Sequence, residues 1–220
     1  MKKGLTELVF LLDRSGSMQG LEADTIGGFN GMIEKQRKQE GEANVTTVLF
    51  DNSYEILHDH FPIDMVRPLT EDDYSVRGQT ALMDAVGKTI HKLINIQKHL
   101  PEDARAEKVI FVITTDGMEN ASREYSYNQI KSLIERQKTE YGWEFLFLGA
   151  NMDAVSEAAR FGIAADRSVT FLNDGEGIDT ACQAVTEALS DLRKAACTAE
   201  IDGSWKGTIE ADVKLRGFRK

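Results

Sequence analysis

An apolar run passes directly into a polar pentapeptide at Leu8-Val9-Phe10-Leu11-Leu12-Asp13-Arg14-Ser15-Gly16-Ser17. The continuous run of large apolar residues predicts a central strand that is covered on both faces. Alternate side chains of an extended chain point the same way, so Asp13, Ser15 and Ser17 can converge on one point, with Gly16 letting the backbone turn closely beneath them. One carboxylate and two hydroxyls are oxygen ligands of the kind that a hard divalent cation such as Mg2+ prefers. The stretch therefore predicts half of a metal site at the end of a strand.

Further strand-like runs alternate along the chain with amphipathic helical stretches, a pattern typical of an α/β fold with a mostly parallel sheet. The run that ends at Phe50 is followed at once by Asp51-Asn52 and a second short run, which predicts a tight hairpin to an antiparallel edge strand. We therefore predict a Rossmann-like, doubly wound, mostly parallel six-stranded sheet with one antiparallel edge strand and helices on both faces. The strands are predicted at Leu8–Leu12, Val45–Phe50, Tyr54–Leu57, Val109–Ile113, Phe145–Leu148 and Ser168–Phe171.

The segments between these strands carry apolar side chains with the 3.6-residue period of a helix. The first predicted helix, from about Leu21 to Gln39, contains Gly27, Gly28 and Gly31, which we expect to pack closely against the sheet. Three later apolar stripes consist of Leu82, Val86, Ile90, Leu93 and Ile94, of Ile130, Leu133 and Ile134, and of Ile178, Cys182, Val185, Leu189 and Leu192.

The C-terminal segment is the least regular part of the sequence. Apolar periodicity stops at about Ala199, and the residues beyond it mix charges with glycines. We place a domain boundary after residue 200. Residues 201–220 are expected to form either a tail or an additional strand around Thr208–Leu215, and the core fold is not expected to need residues beyond Asp202.

The composition is that of one ordinary globular domain, with 220 residues, 41% hydrophobic and 28% charged. A net charge of -10 argues against nucleic acid or an anionic membrane as the main partner. No stretch approaches transmembrane length, and Asp13 interrupts the first apolar run too early for a signal peptide. Cys182 and Cys197 fall on one predicted helix, about 22 Å apart at 1.5 Å per residue, so they cannot pair there. A reducing cytoplasm is the simpler interpretation.

Two more oxygen-bearing residues are candidates to complete the metal site. Thr80 follows Arg77-Gly78-Gln79 just before a predicted helix, and Asp116 follows a predicted central strand. Taken singly, Thr80 could be a helix N-cap and Asp116-Gly117 a turn. In an open doubly wound sheet, however, ligands bind at the carboxyl ends of the strands where the strand order reverses, and these segments would all place oxygens there. The predicted metal ligands are Asp13, Ser15, Ser17, Thr80 and Asp116.

This combination of Asp-x-Ser-x-Ser, a later Gly-x-Thr and a strand-terminal Asp-Gly resembles the metal-ion-dependent adhesion site (MIDAS) of von Willebrand factor A (vWA) domains. The resemblance extends from about Leu5 to Arg193. It looks closest to stand-alone bacterial or phage members, which often carry a stretch similar to Arg77–Ala85. The resemblance implies that residues 1–200 form a vWA domain.

The resemblance also implies how the ligands are used. Ser15 and Ser17 would bind the metal directly and Asp13 largely through water, whereas Thr80 and Asp116 would exchange direct and water-mediated contact between states. The implied metal is Mg2+, with Mn2+ as an alternative and Ca2+ as a less favourable one, because Ca2+ prefers more ligands at longer distances.

The implied function is a non-enzymatic, metal-dependent protein-interaction module of the cytoplasm. An electron-poor metal with a position held by water would accept an Asp or Glu side chain of a partner protein. Members of this family often work beside AAA+ ATPases or in stress-response modules, which makes such proteins the expected partners, with no nucleic acid and no membrane.

Other side chains suggest weaker alternatives. Strand spacing would put the imidazoles of His58 and His60 on one face, which could suit Zn2+, although an exposed edge is the preferred interpretation. Glu119 and Asn120 could border the metal site or lie in a solvated loop. The competing function is a metal-dependent hydrolase or phosphotransferase, which needs a general base beside the metal, and Glu119 is the residue left open for that role.

Overall fold

The strand that precedes the polar pentapeptide forms the middle of the sheet. In a computed structural model that describes residues 1–195 and 203–217, strand β1 (Lys2–Asp13) lies between β2 (Ala43–Phe50) and β4 (Ala106–Thr115) and is parallel to both. The side chains from Leu8 to Leu11 have no solvent exposure, as the uninterrupted apolar run predicts for a strand covered on both faces.

The remaining strands extend the sheet on both sides of this centre. The outer strands are β3 (Tyr54–Pro62), β5 (Glu144–Ala150) and β6 (Ser168–Phe171). The described residues form a six-stranded sheet of order β3-β2-β1-β4-β5-β6, in which β3 pairs with β2 in the antiparallel direction and the other pairings are parallel. The predicted fold class is confirmed, including the antiparallel edge strand.

Helices cover both faces of the sheet and divide the core into two layers. The helices are α1 (Glu22–Arg37), α2 (Leu82–His99), α3 (Tyr127–Tyr141), α4 (Ala154–Arg160), α5 (Gly175–Lys194) and α6 (Gly207–Arg216). On one face, Leu8 and Phe10 of β1 pack with apolar residues of α1 and α5, such as Phe29 and Leu189. On the other face, Val9 packs with residues of α2, α3 and α4.

Of the three glycines in α1, only Gly28 packs closely against another element, and that element is a helix and not the sheet. A Cβ atom on Gly28 would lie 2.4 Å from Sγ of Cys182 in α5, whereas Cβ atoms on Gly27 and Gly31 would meet nothing within 4 Å. The expected helix–sheet packing of these glycines is therefore wrong. Cys182 packs against the core as predicted, whereas Cys197 lies outside the described residues.

The C-terminal segment forms a helix where a strand was considered. A 3-10 turn (Gly203–Lys206) leads into α6, so the additional strand predicted around Thr208–Leu215 is wrong. Trp205 and Ile209 are 8% and 1% exposed and belong to the core layer of α1 and α5. The sequence pattern missed this helix because few of its positions are buried. Residues 201–202 and 218–220 of the predicted tail lie outside the described residues.

The two histidines of β3 lie on opposite faces of the sheet, contrary to the prediction from strand spacing. The register of β3 on β2 shifts twice near Thr47, and His60 has a φ of 55°. The His58 ring is buried and stacks on Phe29 of α1, whereas the His60 Nδ1 lies 2.6 Å from the buried carboxylate of Glu7 on the other face. Within the described residues no group of three or more His, Cys, Asp or Glu side chains could hold a metal ion, so the Zn2+ alternative is not supported.

Candidate metal centre

Three chain segments meet at the carboxyl ends of the two central strands. Asp13 is the last residue of β1, Asp116 directly follows β4, and the two strands are in register with Leu12 opposite Thr114. Thr80 comes from the connection between β3 and α2. This connection is held against the first segment by the hydrogen bond from the Gly16 N–H to the Gly78 carbonyl, at 3.1 Å.

The hydroxyls of the three segments lie side by side. Ser15 Oγ and Ser17 Oγ are 3.1 Å apart, and Ser17 Oγ donates to Asp116 Oδ1 at 2.6 Å. A Cβ atom on Gly117 would lie 2.7 Å from Thr80 Oγ1 and 3.5 Å from Ser17 Oγ, which places the Thr80 hydroxyl next to the Asp116-Gly117 turn. The structure thus brings the predicted side chains together at one edge of the sheet.

Asp13 is a buried carboxylate held by its neighbours in the sheet. It is 1% exposed, its Oδ1 accepts the Ser15 N–H at 2.7 Å, and its Oδ2 accepts the Thr115 hydroxyl at 2.6 Å. The hydroxyl of Tyr74 donates to its carbonyl oxygen. Burial raises the pKa of Asp13 to about 6, because removing water disfavours the charged form. A cation at this position would favour the ionised form instead.

Asp116 is the second carboxylate of the site and is less buried than Asp13. Burial raises its pKa, while the hydrogen bonds from Ser17 and Asn173 act in the opposite direction. The Asn173 Nδ2 donates to Asp116 Oδ2 at 3.3 Å, reaching it from the loop after β6. Both carboxylates therefore ionise less readily in the metal-free protein than they would in water.

Thr80 does not cap the following helix. Ala81 occupies the N-cap position of α2 without a side-chain cap. Two N–H groups in the first turn of α2 donate instead to side chains of the loop after Asp116. The Met83 N–H donates to Glu119 at 2.8 Å, and the Asp84 N–H donates to Ser122 at 3.0 Å. The N-cap interpretation of Thr80 is wrong, and its hydroxyl serves no cap.

The loop after Asp116 holds the Thr80 segment in place. Asn120 borders the site, because its Oδ1 accepts the Thr80 N–H and its own N–H donates to the Thr80 carbonyl, each at 3.0 Å. Glu119, the residue left open as a general base, accepts four hydrogen bonds at 2.7–2.9 Å from Met83, Ala121 and Ser122. Its oxygens are occupied by one N–H of the first turn of α2 and by three donors of its own loop, which argues against a role as a base.

Comparisons with known proteins show which known fold the chain has. No family model matches the sequence, and no curated protein matches it. Among solved structures, the chain is similar to the proximal thread matrix protein 1 of the mussel byssus, with a TM-score of 0.57 and 18% identity over 85% of this chain and 46% of that one. It is also similar to the manganese-loaded TRAP protein of Plasmodium vivax, with a TM-score of 0.54 and 16% identity over 78% and 70% of the two chains.

A third similar structure is the ArnB paralog VWA2 of Sulfolobus acidocaldarius, with a TM-score of 0.52 and 16% identity over 85% of this chain and 45% of that one. The chain has the von Willebrand factor A fold. It spans about half the length of the mussel and Sulfolobus proteins, so their full-length activities are not carried over. The mussel protein has also been solved with a zinc-occupied MIDAS motif.

The donor set of this site fits a hard divalent cation. Two carboxylates and three hydroxyls provide only oxygen atoms, as Mg2+ and Mn2+ prefer. The Asp13 carboxylate is 1% exposed and, among the residues that the structure describes, has no Lys or Arg as a hydrogen-bond partner, so it is the kind of group that a bound cation would stabilise. Asp13, Ser15, Ser17, Thr80 and Asp116 are the side chains that would hold the metal.

Sequence reasoning missed several residues that orient these side chains. Thr115 was adjacent to Asp116 in the sequence, and its position at the end of a strand beside Asp13 could have identified it. Tyr74 and Asn173 reach the site from distant segments, and no local pattern marks them.

Within the described residues, no helix is both long and apolar enough to cross a membrane.

Proposed function

We propose that this vWA domain is a protein-interaction module that binds Mg2+ through the five residues above and uses the metal to recruit an Asp or Glu side chain of a partner. The observation that supports the proposal most directly is the meeting of two carboxylates and three hydroxyls around the Ser17–Asp116 hydrogen bond of 2.6 Å. Such a set leaves coordination positions open for an oxygen atom from outside the chain.

The charge of the protein gives the metal a clear role. A chain with a net charge of -10 repels an acidic partner, and a bound cation reverses the field locally. Binding of the partner carboxylate then depends on the metal. Met118, which is 63% exposed directly after the Asp116-Gly117 turn, offers an apolar contact on the same face. We propose a cytoplasmic AAA+ ATPase or stress-response protein as the partner, and a function without catalysis.

Affinity capture in the presence and absence of metal tests the proposal. The wild type and Thr80→Val are immobilised and exposed to a lysate of the source cells in Mg2+ and in EDTA, with Gly27→Ala as a control distant from the site. The valine keeps the shape of Thr80 and removes its hydroxyl.

We expect the wild type and the control to retain a partner in Mg2+ and to release it in EDTA. Thr80→Val should bind that partner weakly in Mg2+, although its melting temperature in metal-free buffer equals that of the wild type. Replacing one acidic residue of that partner by its amide should abolish the contact. Equal capture by all variants in Mg2+ and in EDTA would place the interface elsewhere and contradict the proposal.

A further inference from the structure

A partly buried ion cluster lies beside the loops that carry the predicted metal ligands. Asp51, directly after β2, is 1% exposed, and its Oδ2 lies 2.8 Å from the Arg77 Nε and 3.5 Å from the Arg14 Nε. Arg14 is 2% exposed, and its Nη2 lies 2.8 Å from Glu55 Oε2. We call Arg14, Asp51, Glu55 and Arg77 the arginine–aspartate cluster.

The backbone ties the same residues to the metal-binding segments. The Arg77 N–H donates to the Arg14 carbonyl at 2.8 Å, and the Ala81 N–H donates to the Asp51 carbonyl at 3.0 Å. Arg14 lies between the predicted ligands Asp13 and Ser15, and Ala81 directly follows Thr80. Asp51 therefore contacts residues that flank predicted ligands in two separate loops.

Asp51 and Glu55 together compensate the buried charge of Arg14. The Arg14 Nε and Nη2 are buried and make no hydrogen bond of good geometry, so their compensation comes mainly from the nearby carboxylates. Without the charge of Asp51, the buried guanidinium of Arg14 would keep only Glu55 of these two carboxylates, which is 51% exposed. A buried charge that loses a compensating partner is costly, which favours a movement of Arg14 towards Glu55 at the surface. Such a movement of Arg14 would displace the backbone between Asp13 and Ser15.

We infer that Asp51 is a positioning residue of the metal site, whose negative charge holds the Asp13–Ser17 loop and the Thr80 loop in mutual register. This inference rests on the proposed metal binding. Partners that orient metal ligands typically contribute about tenfold to a hundredfold in metal affinity, and Asp51 acts one step further from the ligands, so we expect a loss of about tenfold in Asp51→Asn.

A matched pair of buried carboxylates separates positioning from general stability. Asp51→Asn is compared with Glu7→Gln, since Glu7 is also buried in the sheet, at 0% exposed, but lies in the middle of β1, beside Thr46 and His60 and away from the strand end that carries Asp13. Mn2+ affinity is measured on the full chain by titration calorimetry at a temperature where each variant is folded, and urea unfolding is measured without metal.

We expect both variants to lose stability and only Asp51→Asn to lose Mn2+ affinity. If the wild type binds Mn2+ and the two variants bind it with affinities equal to each other, the positioning role is overturned while the proposed function stays intact. A wild type that binds no Mn2+ would overturn both.

Arg77→Met provides a second test if Asp51→Asn does not fold. Arg77 is half exposed, so its replacement removes one contact of Asp51 with little cost to the core. We expect it to lower Mn2+ affinity several-fold, whereas Arg136→Met, which breaks an exposed ion pair with Glu140 on α3, should leave it unchanged. Equal affinities in these two variants would contradict the inference.

Discussion

Replacement of Trp205 by alanine should destabilise the whole domain, although this residue lies beyond the boundary that the sequence predicts. The indole is 8% exposed within the core layer of α1 and α5, and its Nε1 donates to the Asp166 carbonyl at 2.9 Å. Truncation of a buried tryptophan typically costs about 3–5 kcal/mol. For a domain of this size, such a loss lowers the melting temperature by roughly 10 °C.

The assay is thermal unfolding followed by far-UV circular dichroism in metal-free buffer. Leu215→Ala is the control, because Leu215 belongs to the same C-terminal segment but is 70% exposed and should have almost no effect. A Trp205→Ala variant that melts with the Leu215→Ala control, and as cooperatively as the wild type, would refute the assignment of this segment to the core.

Two further predictions concern the metal site and the edge of the sheet. Gly117→Ala should weaken Mn2+ binding in calorimetry without lowering the stability of the metal-free protein, since its Cβ atom would lie 2.7 Å from Thr80 Oγ1. The control is Gly27→Ala, which has open space around its Cβ atom and should bind Mn2+ as the wild type does. Equal Mn2+ affinities of the two variants would contradict the prediction. The hydrogen bond with Glu7 raises the pKa of His60. This interaction therefore stabilises the folded state fully at pH values below the ordinary histidine pKa, and the stabilisation is lost as pH rises through the raised pKa. The difference in urea-unfolding stability between the wild type and His60→Gln should therefore shrink as pH rises above the ordinary histidine pKa of about 6.5, and a constant or growing difference would contradict the assignment.

The part of the fold that local pattern decides was predicted from the sequence. The apolar run from Leu8 and the hairpin signal after Phe50 predicted the central and edge strands, because each depends on neighbouring residues. The candidate site was found because Asp13, Ser15 and Ser17 lie within five residues of one another in the sequence. The other two residues, Thr80 and Asp116, lie in segments that were predicted to reach the same edge of the sheet.

The parts that were missed depend on contacts between distant segments. The two register shifts in β3 separate His58 from His60, and no sequence signal marks them. α6 buries few residues, so its apolar period is weak. Asp51 looked like a turn residue, and only the folded chain brings its carboxylate to Arg14 and Arg77.

Anomalous X-ray diffraction from crystals grown with MnCl2 tests the metal site most directly. Data collected at the manganese absorption edge locate the metal without reference to the protein coordinates. The account predicts one strong peak per chain within bonding distance of the Ser15 and Ser17 hydroxyls and next to Asp13, Thr80 and Asp116, and no such peak in crystals of Asp13→Ala. A peak at any other group of side chains, or no peak in the wild type at a saturating concentration of MnCl2, would contradict it.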